Sequence, residues 1–206
     1  LTPGTPAAEY FKPYSDYIFE IGLTPNRMDA MSHLGVARDV AAYLTHHQKE
    51  TRVKQPYANG FKADNNDAPI KVTVENSTDC TRYAGVTISG VTVAPSPEWL
   101  VNKLTAIGVR SINNIVDITN YILHETGQPL HAFDLKAVTG NEIIVKNVAT
   151  GIKFTTLDDK ERSLHAEDLM ICNANESMCI AGVFGGSKSG VNNETTAIFL
   201  ESACFH

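Results

Sequence analysis

Residues 96–127, SPEWLVNKLTAIGVRSINNIVDITNYILHETG, decide how the rest of the chain reads. Ser96-Pro97-Glu98 starts a helix, with a capping residue, a proline at the first helical position and an acid in the first turn. Trp99, Leu100, Leu104 and Ile107 form its apolar face, and Gly108 ends it. Ser111 then caps a second helix. Its stripe is Ile112, Ile115, Val116, Thr119, Ile122 and Leu123, and Gly127 closes it.

Strands flank this helix pair. Ile70, Val72 and Val74 alternate, residues 82–93 form a longer strand with a bulge position at Gly90, and residues 142–148 form another. Residues 153–156 and 162–164 flank Leu157-Asp158-Asp159-Lys160 as a hairpin. Residues 168–173 and 178–183 surround an Asn-rich turn, and residues 196–201 end the run. Residues 128–134, QPLHAFD, read as a constrained loop, and residues 185–193 as a glycine-rich one. Two helices and many strands, without regular βαβ alternation, argue for an α+β fold.

Upstream, residues 1–16 read as a loop and residues 17–23, YIFEIGL, as a strand. After the turn Thr24-Pro25-Asn26-Arg27, Asp29 or Ser32 caps a helix over about residues 29–44. The polar, irregular stretch 46–67 divides the chain. Residues 1–67 are expected to be the end of one domain plus a linker, and residues 68–206 a second domain.

The 206 residues suffice to bury a core without staples, with 17 basic and 23 acidic side chains and a net charge of −6. Residues 1–60 carry 6 basic against 6 acidic groups, residues 61–140 carry 6 against 8, and residues 141–206 carry 5 against 9. No third is basic, which argues against a long electrostatic grip on nucleic acid. A membrane span needs ~20 apolar residues, and no such run or signal peptide is visible. Cys80, Cys172, Cys179 and Cys204 form no CxxC pair and read as reduced and cytosolic. The chain is expected to be a fragment of something longer.

The string Gly182-Val183-Phe184-Gly185-Gly186-Ser187-Lys188-Ser189 nearly spells a phosphate-binding loop. It has serine where the motif needs glycine, and a strand rather than a helix is expected after it. Its glycines still let backbone approach a ligand closely, or simply make a flexible hairpin. His131, held by Pro129 and apolar neighbours, suits water orientation or proton transfer, or a bond to backbone. Asn120 can position a water or a carbonyl, or be a surface amide; Arg110 can take a phosphate or carboxylate, or be a surface ion. Glu201 ends an apolar strand, where a carboxylate is costly unless paired or turned to solvent. No zinc pattern, GxSxG elbow or Cys–His pattern is present.

An ordered set of strings carries a resemblance: Thr24-Pro25-Asn26-Arg27, residues 34–39 (LGVARD), Arg110-Ser111-Ile112, residues 116–121 (VDITNY), residues 127–134 (GQPLHAFD), Gly182-Val183-Phe184-Gly185-Gly186, Ser189-Gly190-Val191 and Leu200-Glu201. From about Thr24 onward the chain resembles the bacterial phenylalanyl-tRNA synthetase beta subunit, covering the end of an N-terminal domain and the central editing domain. The resemblance implies a β-rich, three-layer (ββα) domain with both helices on one side. It implies an α₂β₂ cytoplasmic ligase that uses ATP and magnesium elsewhere, partnered by an alpha subunit and phenylalanine tRNA. For this region it implies hydrolysis of tyrosine mischarged on that tRNA, without a cofactor or metal of its own.

In that reading Glu201 accepts the tyrosine hydroxyl, Gly185 lines the amino-acid pocket and Arg110 lies near the terminal adenosine. His131 and Asn120 lie near the ester and the attacking water. With phenylalanine bound, the Glu201 carboxylate is expected to stay unpaired, at a cost on the order of 1–3 kcal/mol. The family also uses small residues beyond Glu201, so the pocket is expected to be open on one side. A non-catalytic module of the same fold that binds RNA or an aromatic amino acid is the competing expectation.

Overall fold

The computed structural model describes residues 2–56 and 60–206. Its elements in chain order are α1 (Ala7–Phe11), α2 (His33–His47), β1 (Lys71–Val74), β2 (Cys80–Ser89), α3 (Glu98–Ala106) and α4 (Asn114–Thr126). Then come β3 (His131–Asp134), β4 (Glu142–Asn147), β5 (Lys153–Thr155), β6 (Glu161–Ser163), β7 (Leu169–Cys172), β8 (Ser177–Ile180), β9 (Phe184–Gly185) and β10 (Ala197–Phe205).

A five-stranded sheet runs β1-β4-β7-β8-β9, a three-stranded sheet runs β2-β10-β3, and β5-β6 form a hairpin. Apart from the parallel pair β1–β4, the pairs are antiparallel. Phe133 and Phe199 of the small sheet join Ile143, Val145, Ile171, Met178 and Cys179 of the large one in one core. Burying each phenylalanine contributes on the order of 2–3 kcal/mol. α4 contacts β3, α3 and α2. The order of layers is therefore large sheet, small sheet, helices: the α+β, β-rich arrangement expected.

Local boundaries differ from the sequence reading for physical reasons. Residues 17–23 form no strand. Tyr17 is 89% and Phe19 80% exposed, so apolar residues are present without a neighbouring edge to pair them. α2 begins at His33, with Ser32 as its cap accepting from Gly35 N at 3.0 Å, and Met28–Ala30 form a separate 3₁₀ turn. A Cβ on Gly35 would lie 2.1 Å from the Asp29 carbonyl oxygen, which is why the turn can close onto the helix only at a glycine. QPLHAFD is not all loop, because its last four residues are β3. β2 ends at Ser89, and Gly90 leaves the ladder at φ 73°. β10 runs on to Phe205.

Ser96 and Ser111 are not caps. Both hydroxyls donate to Asp117 Oδ2 at 2.5 Å, and Ile112 N donates to Oδ1 at 2.9 Å. Asn113 caps α4 by accepting from Ile115 N and Val116 N, while α3 starts after Pro97 with no side-chain cap. Asp117 is fully buried, so its three donors replace the water it lost. Asp117→Ala would strand all three, and is expected to lower stability by about 2–4 kcal/mol in urea titrations, with Asp117→Asn losing less.

Candidate functional site

β10 is the middle strand of the small sheet, and its register assembles the site. Glu201 sits opposite His131 of β3 on one side and opposite Gly85 of β2 on the other. Phe199, two residues earlier on the same face, pairs with Phe133. Because side chains alternate along a strand, Phe199, Glu201, His131 and Phe133 share the face turned to the large sheet. Gly85 has no side chain because none fits: its Cβ would lie 2.1 Å from Phe199 Cζ.

The large sheet contributes the opposite wall. Gly185 of β9 pairs with Cys179 of β8. A Cβ on Gly185 would come within 2.8 Å of Leu157 Cδ1 and 3.3 Å of His131 Cε1. Here the absence of a side chain keeps the cavity open. The glycine-rich loop is pinned rather than floppy. Ser189 Oγ donates to Met178 O at 2.9 Å, Gly190 bridges Phe133, and Thr195 Oγ1 donates to buried Asp134 Oδ2 at 2.6 Å. The loop leads into β10 and not into a helix, so it lacks the helix N-terminus a phosphate-binding loop requires.

A cavity of about 520 Å³ results, lined by His131, Cys179, Phe184, Gly185 and Glu201 together with residues 128–130 and the end of β10. The fold thus brings together three of the five residues singled out: His131, Gly185 and Glu201. Asn120 is half-buried on α4 and Arg110 is exposed between α3 and α4, and neither is among the lining residues.

Glu201 is only 6% exposed, yet it is not unpaired. Tyr83 Oη donates to its Oε2 at 2.6 Å, so the expectation of a wholly unpaired carboxylate is corrected. Burial pushes the Glu201 carboxyl up to about 7, against the opposing pull of the Tyr83 bond. Burial also drives the Tyr83 phenol far above its ordinary range. Burial pushes His131 below the usual imidazole value, so it is neutral near pH 7. Its Nε2 is buried and has no hydrogen-bond partner among the described residues, and its ring packs edge-on against Phe133 at 4.5 Å. Burial lifts the Cys179 thiol to about 12, so it stays protonated and is a poor nucleophile.

Tyr83 escaped the sequence reading. It lies 118 residues from Glu201, and only the β2–β10 register makes them neighbours. No local motif marks it.

The folded chain holds the Glu201 proton more tightly than an unfolded chain, whose carboxyl titrates near 4.5. The resulting stability is complete below that value and is lost as pH rises through about 7. Glu201→Gln stays neutral throughout. Relative to the unmodified chain it is therefore expected to gain on the order of 2–3 kcal/mol between about pH 5 and pH 8 in urea unfolding.

Comparison with known proteins adds the family. The B3/4 domain family matches residues 79–206. The beta subunit of phenylalanine–tRNA ligase from Bacteroides thetaiotaomicron is 58% identical over 204 residues, covering 99% of this chain and 25% of that protein. The Carboxydothermus hydrogenoformans beta subunit is 44% identical over 209 residues, covering 100% of this chain and 25% of that protein. An N-terminal fragment of the Pyrococcus horikoshii phenylalanyl-tRNA synthetase beta subunit matches 88% of this chain and 53% of that one, at 15% identity and a TM-score of 0.49. The chain spans about a quarter of the length of the curated relatives it matches. At these identities, sustained over its whole length, the chain belongs to the phenylalanine–tRNA ligase beta-subunit family.

Proposed function

We propose that this region proofreads: it hydrolyses the ester that joins tyrosine to phenylalanine tRNA. The observation that carries this reading is the convergence of Glu201, His131 and Gly185 on one cavity. Its volume, about 520 Å³, is in the range that holds small ligands. A pocket shaped for phenylalanine rejects an added hydroxyl only ~10²-fold, so a synthetase gains from a second site that reads the hydroxyl positively. Glu201 supplies a carboxylate acceptor in a cavity whose lining also holds His131 and Gln128 beside Leu130, Val183 and Phe184.

The ester is already activated, so no protein nucleophile is required. Water attacks the ester carbonyl carbon, the carbonyl–ribose oxygen bond breaks, and the ribose hydroxyl leaves with a proton. Neutral His131 lines the cavity and supplies an imidazole to orient that water or relay a proton. The tRNA hydroxyl beside the ester is an equally suitable partner for the water. Gly185 leaves room for the amino-acid ring between Leu157 and His131. Arg110, outside the cavity, is assigned to the terminal adenosine, which must project beyond it. Asn120 is assigned a weaker positioning role, since α4 supplies no residue to the cavity lining.

On this reading ATP, magnesium and the aminoacylation step belong to the rest of an α₂β₂ ligase with an alpha subunit, working in the cytoplasm. No three His, Cys, Asp or Glu side chains converge as metal ligands among the described residues. No step above passes through a metal.

The test is deacylation of tyrosine- and phenylalanine-charged phenylalanine tRNA by the full ligase. Glu201→Ala is expected to cut the preference for tyrosine by about 10- to 100-fold. His131→Gln is expected to slow turnover of the tyrosyl ester by about 10²-fold while leaving KM within a few-fold. A wild-type ligase that releases tyrosine no faster than the blank overturns the hydrolytic reading in favour of a binding module.

A further inference from the structure

The proposed reading has Glu201 accept a phenol, yet a phenol is already there. Tyr83 Oη donates to Glu201 Oε2 at 2.6 Å, the short range of a hydrogen bond to a charged acceptor. Among the described residues Oε1 makes no hydrogen bond, and Glu201 is one of the residues lining the cavity.

The register explains how this division arises. Tyr83 pairs with Ala203 and Gly85 with Glu201, so Tyr83 reaches Glu201 along the diagonal of the β2–β10 ladder. The space above Gly85, directly across the ladder from Glu201, is taken by the Phe199 ring. Across the ladder on β3 stands His131. A glutamate side chain has freedom at three torsions, and a lone carboxylate here could turn either oxygen to the cavity. Tying one oxygen removes that choice.

We infer that Tyr83 is a positioning residue for Glu201: its hydroxyl occupies Oε2 and holds Oε1 as the acceptor offered to the hydroxyl of the incoming amino acid. This rests on the proofreading role of the cavity. Tyr83 does not touch the substrate. It sets the geometry of the group that reads it, and it favours the ionised carboxylate, whose two oxygens act only as acceptors. The titratable groups around Glu201 are Tyr83 and Cys80 of β2, His131 of β3, Cys179 of β8 and Cys204 of β10. No lysine or arginine lines the cavity, so the Tyr83 hydroxyl is the group opposing desolvation of the carboxylate.

Tyr83→Phe in the full ligase removes one oxygen and keeps the ring in the core. Two readouts are taken: the ratio of tyrosyl to phenylalanyl ester hydrolysis, and the titration midpoint of Glu201 followed by carbon-13 NMR of labelled carboxyl groups. The ratio is expected to fall about tenfold, mainly through a higher KM for the tyrosyl ester, with the phenylalanyl ester unaffected. The Glu201 midpoint is expected to move up, because the bond that favours the charged form is gone. A ratio within about twofold of wild type, or an unmoved midpoint, overturns the inference. Glu201→Ala separates the two levels. If it loses tyrosine preference while Tyr83→Phe keeps it, only the role of Tyr83 fails. If Glu201→Ala keeps full preference, the reading of Glu201 fails and that of Tyr83 with it.

Discussion

The antiparallel register of β10 against β2 and β3 is the constraint on which the rest depends. One strand carries both Phe199, which joins the two sheets in a common core, and Glu201, two residues on and on the same face. A slip of one residue would move both to the other face and exchange them for Leu200 and Ser202. Packing and chemistry are therefore locked to the same ladder. The phenylalanine pair cannot be seated without also bringing Glu201 between His131 and Gly85.

Buried carboxylates recur in this fold, and each is handled differently. Asp117 is satisfied by three donors and ties the start of α4 to the segments before α3 and α4. Asp134 accepts from Thr195, Asn192 and Lys136 N, and so anchors the glycine-rich loop beside the cavity. Among the described residues Glu201 has one donor for two oxygens. The first two are structural anchors because their demand is met inside the protein. The third is left partly unmet in a cavity wall, which is where a selective group must be.

The cavity needs small residues as much as polar ones. Gly185 makes space between Leu157 and His131, and Gly85 lets the Phe199 ring lie against the backbone opposite Glu201. The glycines of the 182–190 segment thus serve shape. Their resemblance to a phosphate-binding loop is superficial, since β10 follows where a helix would have to begin.

From the sequence alone came the α+β class, the helix pair with its terminal glycines, most of the strands, and His131, Gly185 and Glu201 as residues of interest. The elements, His131 and Glu201 are carried by local signals: periodicity, turn residues, and a carboxylate at the end of an apolar run; Gly185 is carried by the family resemblance. Tertiary structure alone decided the rest. The segment 17–23 alternates like a strand but has no edge to pair with. Ser96 and Ser111 look like caps but serve Asp117, and the last residues of QPLHAFD become a strand because β10 is there to receive them. Tyr83 meets Glu201 because a ladder joined residues 118 positions apart, and Asn120 on α4 and Arg110 between α3 and α4 lie off the cavity wall. The physical reason is common to all of these. Local propensity acts over a few residues, whereas hydrogen-bond pairing and burial are settled between segments that only the folded chain brings together.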